Sequence, residues 1–316
     1  MAYDFKLMVK VATLYYKDGL TQDDISKKIK ISKYQVNRIL KRSMETGIVQ
    51  ISINDSLTNI TEFEDKLEKE FNLKRAIVVD NLGLSDKELK AKMGQAASSY
   101  LLEIIKNNDI IGVAWGTTVN EVIIHLPNKI NKNVDVVQVT GGVHQLSVNL
   151  NCQDIARRFA AIFGAEPHLI YAPAIVESPD LRDLLLNEPS IKETFSFFDK
   201  INIALVGIGA IFPKVTSTFI ETGSFSSVDF EKLNANHAVG DVFSHFFDIN
   251  GKISDPEIDK RMITISTEDL LKIPYSIGIA GGEAKAESIL GALRGKYINI
   301  LVTDIKAAAK ILKLAK

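Results

Sequence analysis

Between Ser276 and Arg294 the chain reads SIGIAGGEAKAESILGALR, with two glycines and a lysine where an apolar strand gives way to a helical pattern. Ile277, Ile279 and Ala280 have the character of a buried strand end. Gly281-Gly282 follows, and Ala286, Ile289, Leu290 and Leu293 then fall on one side of a helix over 283–294. A strand that turns through glycines into a helix leaves unpaired N–H groups at the helix N-terminus, where the dipole favours an anion. Lys285 lies in that first turn. A cation is poorly placed there for helix stability, which points to a negative partner from outside, such as a phosphate. The alternative is a tight strand–helix turn with a solvated lysine.

Three more strand ends carry similar residues. The run 110–114 passes into Trp115-Gly116-Thr117-Thr118, the run 134–139 into Thr140-Gly141-Gly142 and then His144, and the run 203–206 into Gly207-Ile208-Gly209. Ligands of open α/β sheets bind beyond the carboxyl ends of the strands. Glycine lets the backbone approach a ligand closely, and threonine and lysine supply donors. Four such ends in one sheet favour a polyoxygenated anion over plain turns. Asp241, in VGDVFSHFFDINGK (239–252), is a candidate acceptor for ligand hydroxyls or else a turn carboxylate. In the same segment Val239, Val242, Phe243, Phe246 and Phe247 read as core, His245 as packing, and Asn250-Gly251 as a hairpin turn.

A second kind of chemistry sits near the N-terminus. A helix from Ser32 to about Glu45 turns Val36, Ile39 and Leu40 inward, which leaves Tyr34, Asn37, Arg38 and Lys41 on its outer face. Those side chains have the reach to contact base edges and phosphates in a major groove, with Lys33 and Gln35 near the helix start and Arg42 beside them. The backbone N–H groups at Ser32–Gln35 are a further phosphate site. The charge agrees. Residues 1–50 hold eight Lys and two Arg against four Asp and one Glu, a balance of +5, whereas the whole chain is −1. A basic head on a mildly acidic body suits a polyanionic partner such as double-stranded DNA.

The elements that must position these groups follow in order. Tyr3–Lys17 carries a helical stripe ended by Gly19; Thr21 caps a short second helix with Ile25 and Ile29 inside; Gly47 stops the third. Two short helices joined by a tight turn make a helix-turn-helix. Alternation at Val49, Ile51 and Ile53 predicts a short strand or wing. Thr61 with Glu64 matches a capping box, which predicts a helix to Asn72 with Phe63, Leu67 and Phe71 on one stripe, coupling two domains. From Lys74 strand runs at 76–79, 110–114, 134–139, 169–171, 203–206, 277–280 and 298–302 alternate with helical stretches at 87–105, 120–125, 154–163, 181–186, 283–293 and 306–314. The fold class is therefore α/β: an N-terminal all-α (winged) helix-turn-helix domain (1–54), a coupling segment (55–73), and a mainly parallel sheet with helices on both faces (74–316).

Other classes are excluded or disfavoured. The single cysteine, Cys152, rules out a disulfide framework and no stretch reaches the length of a membrane span, so the expectation is a cytoplasmic protein. The glycines of 207–209 lack the third of a dinucleotide fingerprint, no Walker A run or nucleophile elbow occurs, and the five histidines have no metal spacing. No metal, cofactor or catalytic residue is expected.

The run DISKKIKISKYQVNRIL (24–40) resembles the bacterial helix-turn-helix pattern, departing from it at Lys30, where glycine is usual, and at Ser26, where alanine is usual. Taken with GVAWGTT (112–118), VTGG (139–142), VGIGA (206–210), the 239–252 segment, and AGGEAKAESILGALRG through VTD (280–304), the chain is similar to the SorC family of sugar-responsive bacterial transcriptional regulators over nearly its whole length. The resemblance implies an effector domain related to ribose-5-phosphate isomerase and glucosamine-6-phosphate deaminase. It also implies a phosphorylated sugar as effector and a homodimer or homotetramer. By motif it assigns one phosphate to Gly116, Thr117 and Thr118 with Lys285 nearby, and sugar hydroxyls to Asp241. The effector set is completed by Thr140, Gly141, Gly142, Gly209, Gly281 and Gly282. Thr140 stands where relatives often carry a longer basic or polar residue, and His144 is a candidate substitute for that contact. The expectation is a DNA-binding regulator of carbohydrate metabolism, not an enzyme. The competing reading is an active sugar-phosphate isomerase or deaminase with a fused DNA-binding head, using Asp241 and Lys285 as acid and base.

Overall fold

The computed structural model describes residues 4–49, 55–143, 151–212, 214–221 and 225–316. The expected wing residues Ile51 and Ile53, and His144, lie outside the described residues. Two compact units emerge, Met1–Thr58 and Asn59–Lys316.

The first unit contains α1 (Phe5–Tyr16), α2 (Gln22–Ile29) and α3 (Lys33–Glu45). Met8, Val11, Leu14, Ile25, Val36, Ile39 and Leu40 bury together between them. Capping boxes formed by Thr21 with Asp24 and Ser32 with Gln35 open α2 and α3. Lys30 ends α2 in the left-handed conformation, at φ 58° and ψ 46°, which costs a residue with a side chain about 1 kcal/mol or more. The Ser26 hydroxyl donates to the Ile31 carbonyl at 2.6 Å, and the Ser26 carbonyl accepts from the N–H groups of Lys30 and Ile31. Both departures from the usual motif thus meet in one turn: the serine fastens what the lysine strains.

The second unit is built on a seven-stranded sheet in which every pairing is parallel. A long helix α4 (Asp55–Phe71) leads into β1 (Arg75–Val79). There follow α5 (Asp86–Ile104), β2 (Asp109–Val113), α6 (Thr117–His125), β3 (Val134–Gln138), α7 (Cys152–Phe163), β4 (Pro167–His168), α8 (Pro179–Leu186) and α9 (Pro189–Phe195). The chain continues through β5 (Ile203–Gly207), β6 (Gly209–Ala210), α10 (Thr218–Glu221), α11 (Ser227–Ala235), β7 (Gly240–Val242), β8 (His245–Phe247), α12 (Pro256–Asp259) and α13 (Thr267–Leu270). It closes with β9 (Tyr275–Ile279), α14 (Ala286–Arg294), β10 (Ile300–Asp304) and α15 (Ile305–Ala315). The large sheet runs β1-β10-β9-β5-β2-β3-β4, and β6-β7-β8 form a small antiparallel sheet beside it.

Alternation along the strands fills both faces. Ile203 and Leu205 join α5, α6 and α7 in one core, whereas Ala204 and Val206 join α4, α14 and α15 in the other. A parallel sheet buried on two sides needs continuous apolar strands, which is why these runs stood out in the sequence.

Four expectations need correction. The strand placed at 169–171 is a two-residue β4 at Pro167–His168, because the Ile170 N–H donates to the Gln138 side chain at 3.1 Å in place of a backbone ladder. Helix α6 begins at Thr117, three residues before the expected start. Thr61 does not open α4 but lies inside it. Glu64 there accepts the Val78 N–H at 2.9 Å, and Glu68, one turn on, accepts the Ala76 N–H at 2.9 Å. Because β1 is an edge strand, these two carboxylates occupy donors that would otherwise invite another strand. Finally, Glu283–Lys285 forms a 3₁₀ turn, so Lys285 is the N-cap position of α14 and not a member of its first turn.

Candidate functional site

The carboxyl ends of β2, β5 and β9 open onto a cavity of about 330 Å³. Gly116, Thr117, Thr118, Gly209, Asp241, Gly281, Gly282 and Lys285, all proposed from the sequence, line it. Each strand delivers its share: β2 leads into Gly116–Thr118, β5 into Gly207–Gly209, and β9 into Gly281–Lys285. The small sheet supplies Asp241, whose register partner is Gly209. A side chain at Gly209 would run into the Asp241 carboxylate.

The two helix starts at this cavity differ in a way the sequence did not reveal. At α14 the Gly282 N–H is taken by Asp304 Oδ2 at 2.5 Å, and the Lys285 N–H by the Gly282 carbonyl at 3.0 Å. At α6 the N-cap is Gly116, and no side chain caps either helix. What sets the α6 start apart is the pair of hydroxyls, on Thr117 and Thr118, beside a positive dipole end that suits an anion.

Two ionisable groups line the cavity. Asp241 is 6% exposed, and its Oδ1 has no hydrogen-bond partner among the described residues. Burial pushes its carboxyl up to about 6, against the opposing pull of the Ser217 hydroxyl and of the Lys285 and His245 charges. Lys285 donates to the Ile208 carbonyl at 2.6 Å. Burial, helped by the nearby Lys90 charge, lowers its ammonium to about 8, while Asp241 and Glu221 oppose the shift. His245 is buried, with Nδ1 2.7 Å from Asp259 Oδ1 and Nε2 2.8 Å from the Ile265 carbonyl. Both ring nitrogens are thus committed within the fold, where packing alone was expected.

Thr140, Gly141 and Gly142 do not line the cavity. Thr140 is fully buried, its hydroxyl 2.9 Å from that of Ser244. Gly141 donates to the Ile263 carbonyl and Gly142 to that of Ala172, so the glycines there serve close packing of loops. Conversely, the sequence did not offer Lys90, Lys214, Thr216 or Glu221, all of which line the cavity. Asp86, Leu89, Lys90 and Met93 recur at helical spacing on the cavity side of α5, a stripe with charged members that was legible in principle. Lys214 and Thr216 follow β6 in a loop that leaves no pattern.

On the first unit, α3 presents Tyr34, Asn37, Arg38 and Lys41 to solvent, Tyr34 at 74% exposure. Ser32 and Gln35 are partly committed to their capping box, Lys33 pairs with Asp23 at 3.1 Å, and Arg42 pairs with Glu45 at 2.9 Å. These pairs are exposed, so phosphates can compete for the cations at little cost.

Comparison with known proteins agrees with this arrangement. Residues 55–313 match the family described as "Putative sugar-binding domain". The chain is 35% identical over 312 residues to the sorbitol operon regulator of Klebsiella pneumoniae, covering 98% of each protein. It is 31% identical over 299 residues to the deoxyribonucleoside regulator of Bacillus subtilis, covering 95% of each. The crystal structure of the full-length Klebsiella regulator SorC superposes with a TM-score of 0.76 at 34% identity, over 99% of this chain and 100% of that one. These relatives are regulators, which leaves the isomerase or deaminase reading without support. With both of its units accounted for in this way, the chain belongs to the SorC family of sugar-binding transcriptional regulators.

Proposed function

We propose that the effector of this regulator is a phosphorylated sugar, held with its phosphate at the start of α6 and its hydroxyls toward Asp241. The observation that carries the reading is the uncapped α6 N-terminus, opening into a cavity that also holds Thr117, Thr118, Lys285 and the unpartnered oxygen of Asp241. Backbone donors and the dipole bind the oxyanion, the lysine adds charge, and a carboxylate with a free lone pair accepts from a hydroxyl. Lys90 and Lys214 extend the positive lining. Thr140, Gly141 and Gly142 are left out of the contact set.

The DNA reader in this proposal is α3, with Tyr34, Asn37, Arg38 and Lys41 at base edges and phosphates and Lys33 and Arg42 at phosphates. Two heads on a homodimer, or on a homotetramer built from dimers, present two α3 helices one helical turn of DNA apart or a multiple of it. A sugar that prefers one arrangement of the effector domains shifts that separation, and with it operator affinity. A bacterial regulator of this kind works in the cytoplasm, where the chromosome lies.

Thermal-shift screening of matched pairs of free and phosphorylated sugars tests the effector. A stabilisation by the phosphorylated member only, lost in Thr117→Ala and Lys285→Ala, is the expected result. Equal stabilisation by the free sugar would replace the phosphate in this reading with a neutral polyol.

A further inference from the structure

Asp304 closes β10 and is completely buried. Its Oδ1 accepts from the Lys306 and Ala307 N–H groups at 3.0 and 3.3 Å, which makes it the N-cap of α15. That role alone would leave its remaining lone pairs idle. Instead Oδ1 also accepts from Asn81 Nδ2 at 2.5 Å, and Oδ2 accepts from the Gly282 N–H at 2.5 Å. Asn81 stands in the turn between β1 and α5, the helix that brings Asp86, Lys90 and Met93 to the cavity. Gly282 stands in the loop that brings Lys285. The fit is close on both sides: a Cβ at Gly281 would lie 2.6 Å from Asp304 Oδ2 and 2.7 Å from Met93 Sδ.

We propose that Asp304 is the positioning residue that holds two walls of the effector cleft at their working separation, by fastening the Gly281-Gly282 loop and the turn into α5 to the end of β10. The proposal concerns the cleft read above as the effector site. It needs no ligand to be tested, so its failure is separate from a failure of that reading. One carboxylate joins the wall that carries Lys285 to the wall that carries Lys90. The two lysines are near enough for the Lys90 charge to act on Lys285, a proximity that like charges do not keep unless something holds them.

The test is the titration of Lys285 in the intact protein, followed by competitive acylation across pH with mass spectrometry; the midpoint of the profile is read, not the rate. The wild-type midpoint is expected at about 8. Asp304→Asn keeps a good N-cap on α15 but turns an amide N–H₂ toward the Gly282 N–H, so the loop is released. Lys285 then regains water and its midpoint rises by at least one unit, a drop in free amine at pH 8 of about fivefold or more. Asn81→Ala leaves α15 and Gly282 untouched and frees only the α5 side. Its midpoint should rise as Lys90 withdraws, and this variant serves if the first does not fold. A wild-type midpoint in the folded variants, or a rise that appears only together with loss of α15 protection from hydrogen exchange, would reduce Asp304 to a helix cap and overturn the proposal.

Discussion

Asp241 is a stability liability retained at a site. An acid whose pKa in the native state, about 6, lies above its ordinary value binds protons more readily folded than unfolded between about pH 4 and 6. Stability is therefore undiminished below that window, falls as pH rises through it, and carries the full cost above it, at most about 3 kcal/mol. Asp241→Asn should thus raise the thermal midpoint at pH 7.5, with the gain vanishing near pH 4, while the response to effector is lost; melts at both pH values check it. Lys285 works in the opposite sense. With its ammonium at about 8, it is charged at neutral pH and neutral above, so an anionic effector should bind about tenfold more weakly at pH 9 than at pH 7. Calorimetry would show proton uptake on binding near pH 8.5 that Lys285→Met abolishes.

The turn between α2 and α3 offers the clearest prediction about an element. Because Lys30 sits at φ 58°, Lys30→Gly should relieve left-handed strain and stabilise the head by about 0.5–1 kcal/mol after the entropy of an added glycine is subtracted. Slower native-state hydrogen exchange at the Ile25 and Val36 amides would register it. Elements also show what a sequence can and cannot disclose. The strand cores of the large sheet were legible where buried runs such as 203–206 are apolar throughout, and α3 was legible from Ser32, Val36, Leu40 and Gly47. The small sheet was not. β6 is two residues long, and β7 and β8 are joined through Phe243 and Ser244, both at positive φ (51° and 67°) without the glycine or asparagine that marks such a hairpin. The N-terminus of α14 misled for a related reason: what satisfies Gly282 is Asp304, 22 residues away, and no local pattern announces a distant acceptor. Thr140–Gly142 misled because glycine looks the same whether it admits a ligand or the backbone of a neighbouring loop.

For the whole molecule the central quantity is a linkage. If the sugar changes operator affinity tenfold, about 1.4 kcal/mol of coupling, then operator DNA must change sugar affinity by the same factor. Titrating the sugar with and without operator measures this, and equal affinities would remove the coupling. Operator affinity should also fall steeply with salt. Each phosphate contact contributes about −0.9 to the slope of log affinity against log salt, so Lys41→Ala in a pair of heads should flatten the slope by about two.

The closed rim of β1 has a practical corollary. Glu64 and Glu68 keep the Val78 and Ala76 amides occupied. Removing both side chains would bare one margin of the sheet as a template on which further copies can stack. Turbidity of the Glu64→Ala, Glu68→Ala double variant at a concentration where the parent chain stays clear, with helix content unchanged, is then a property of two side chains.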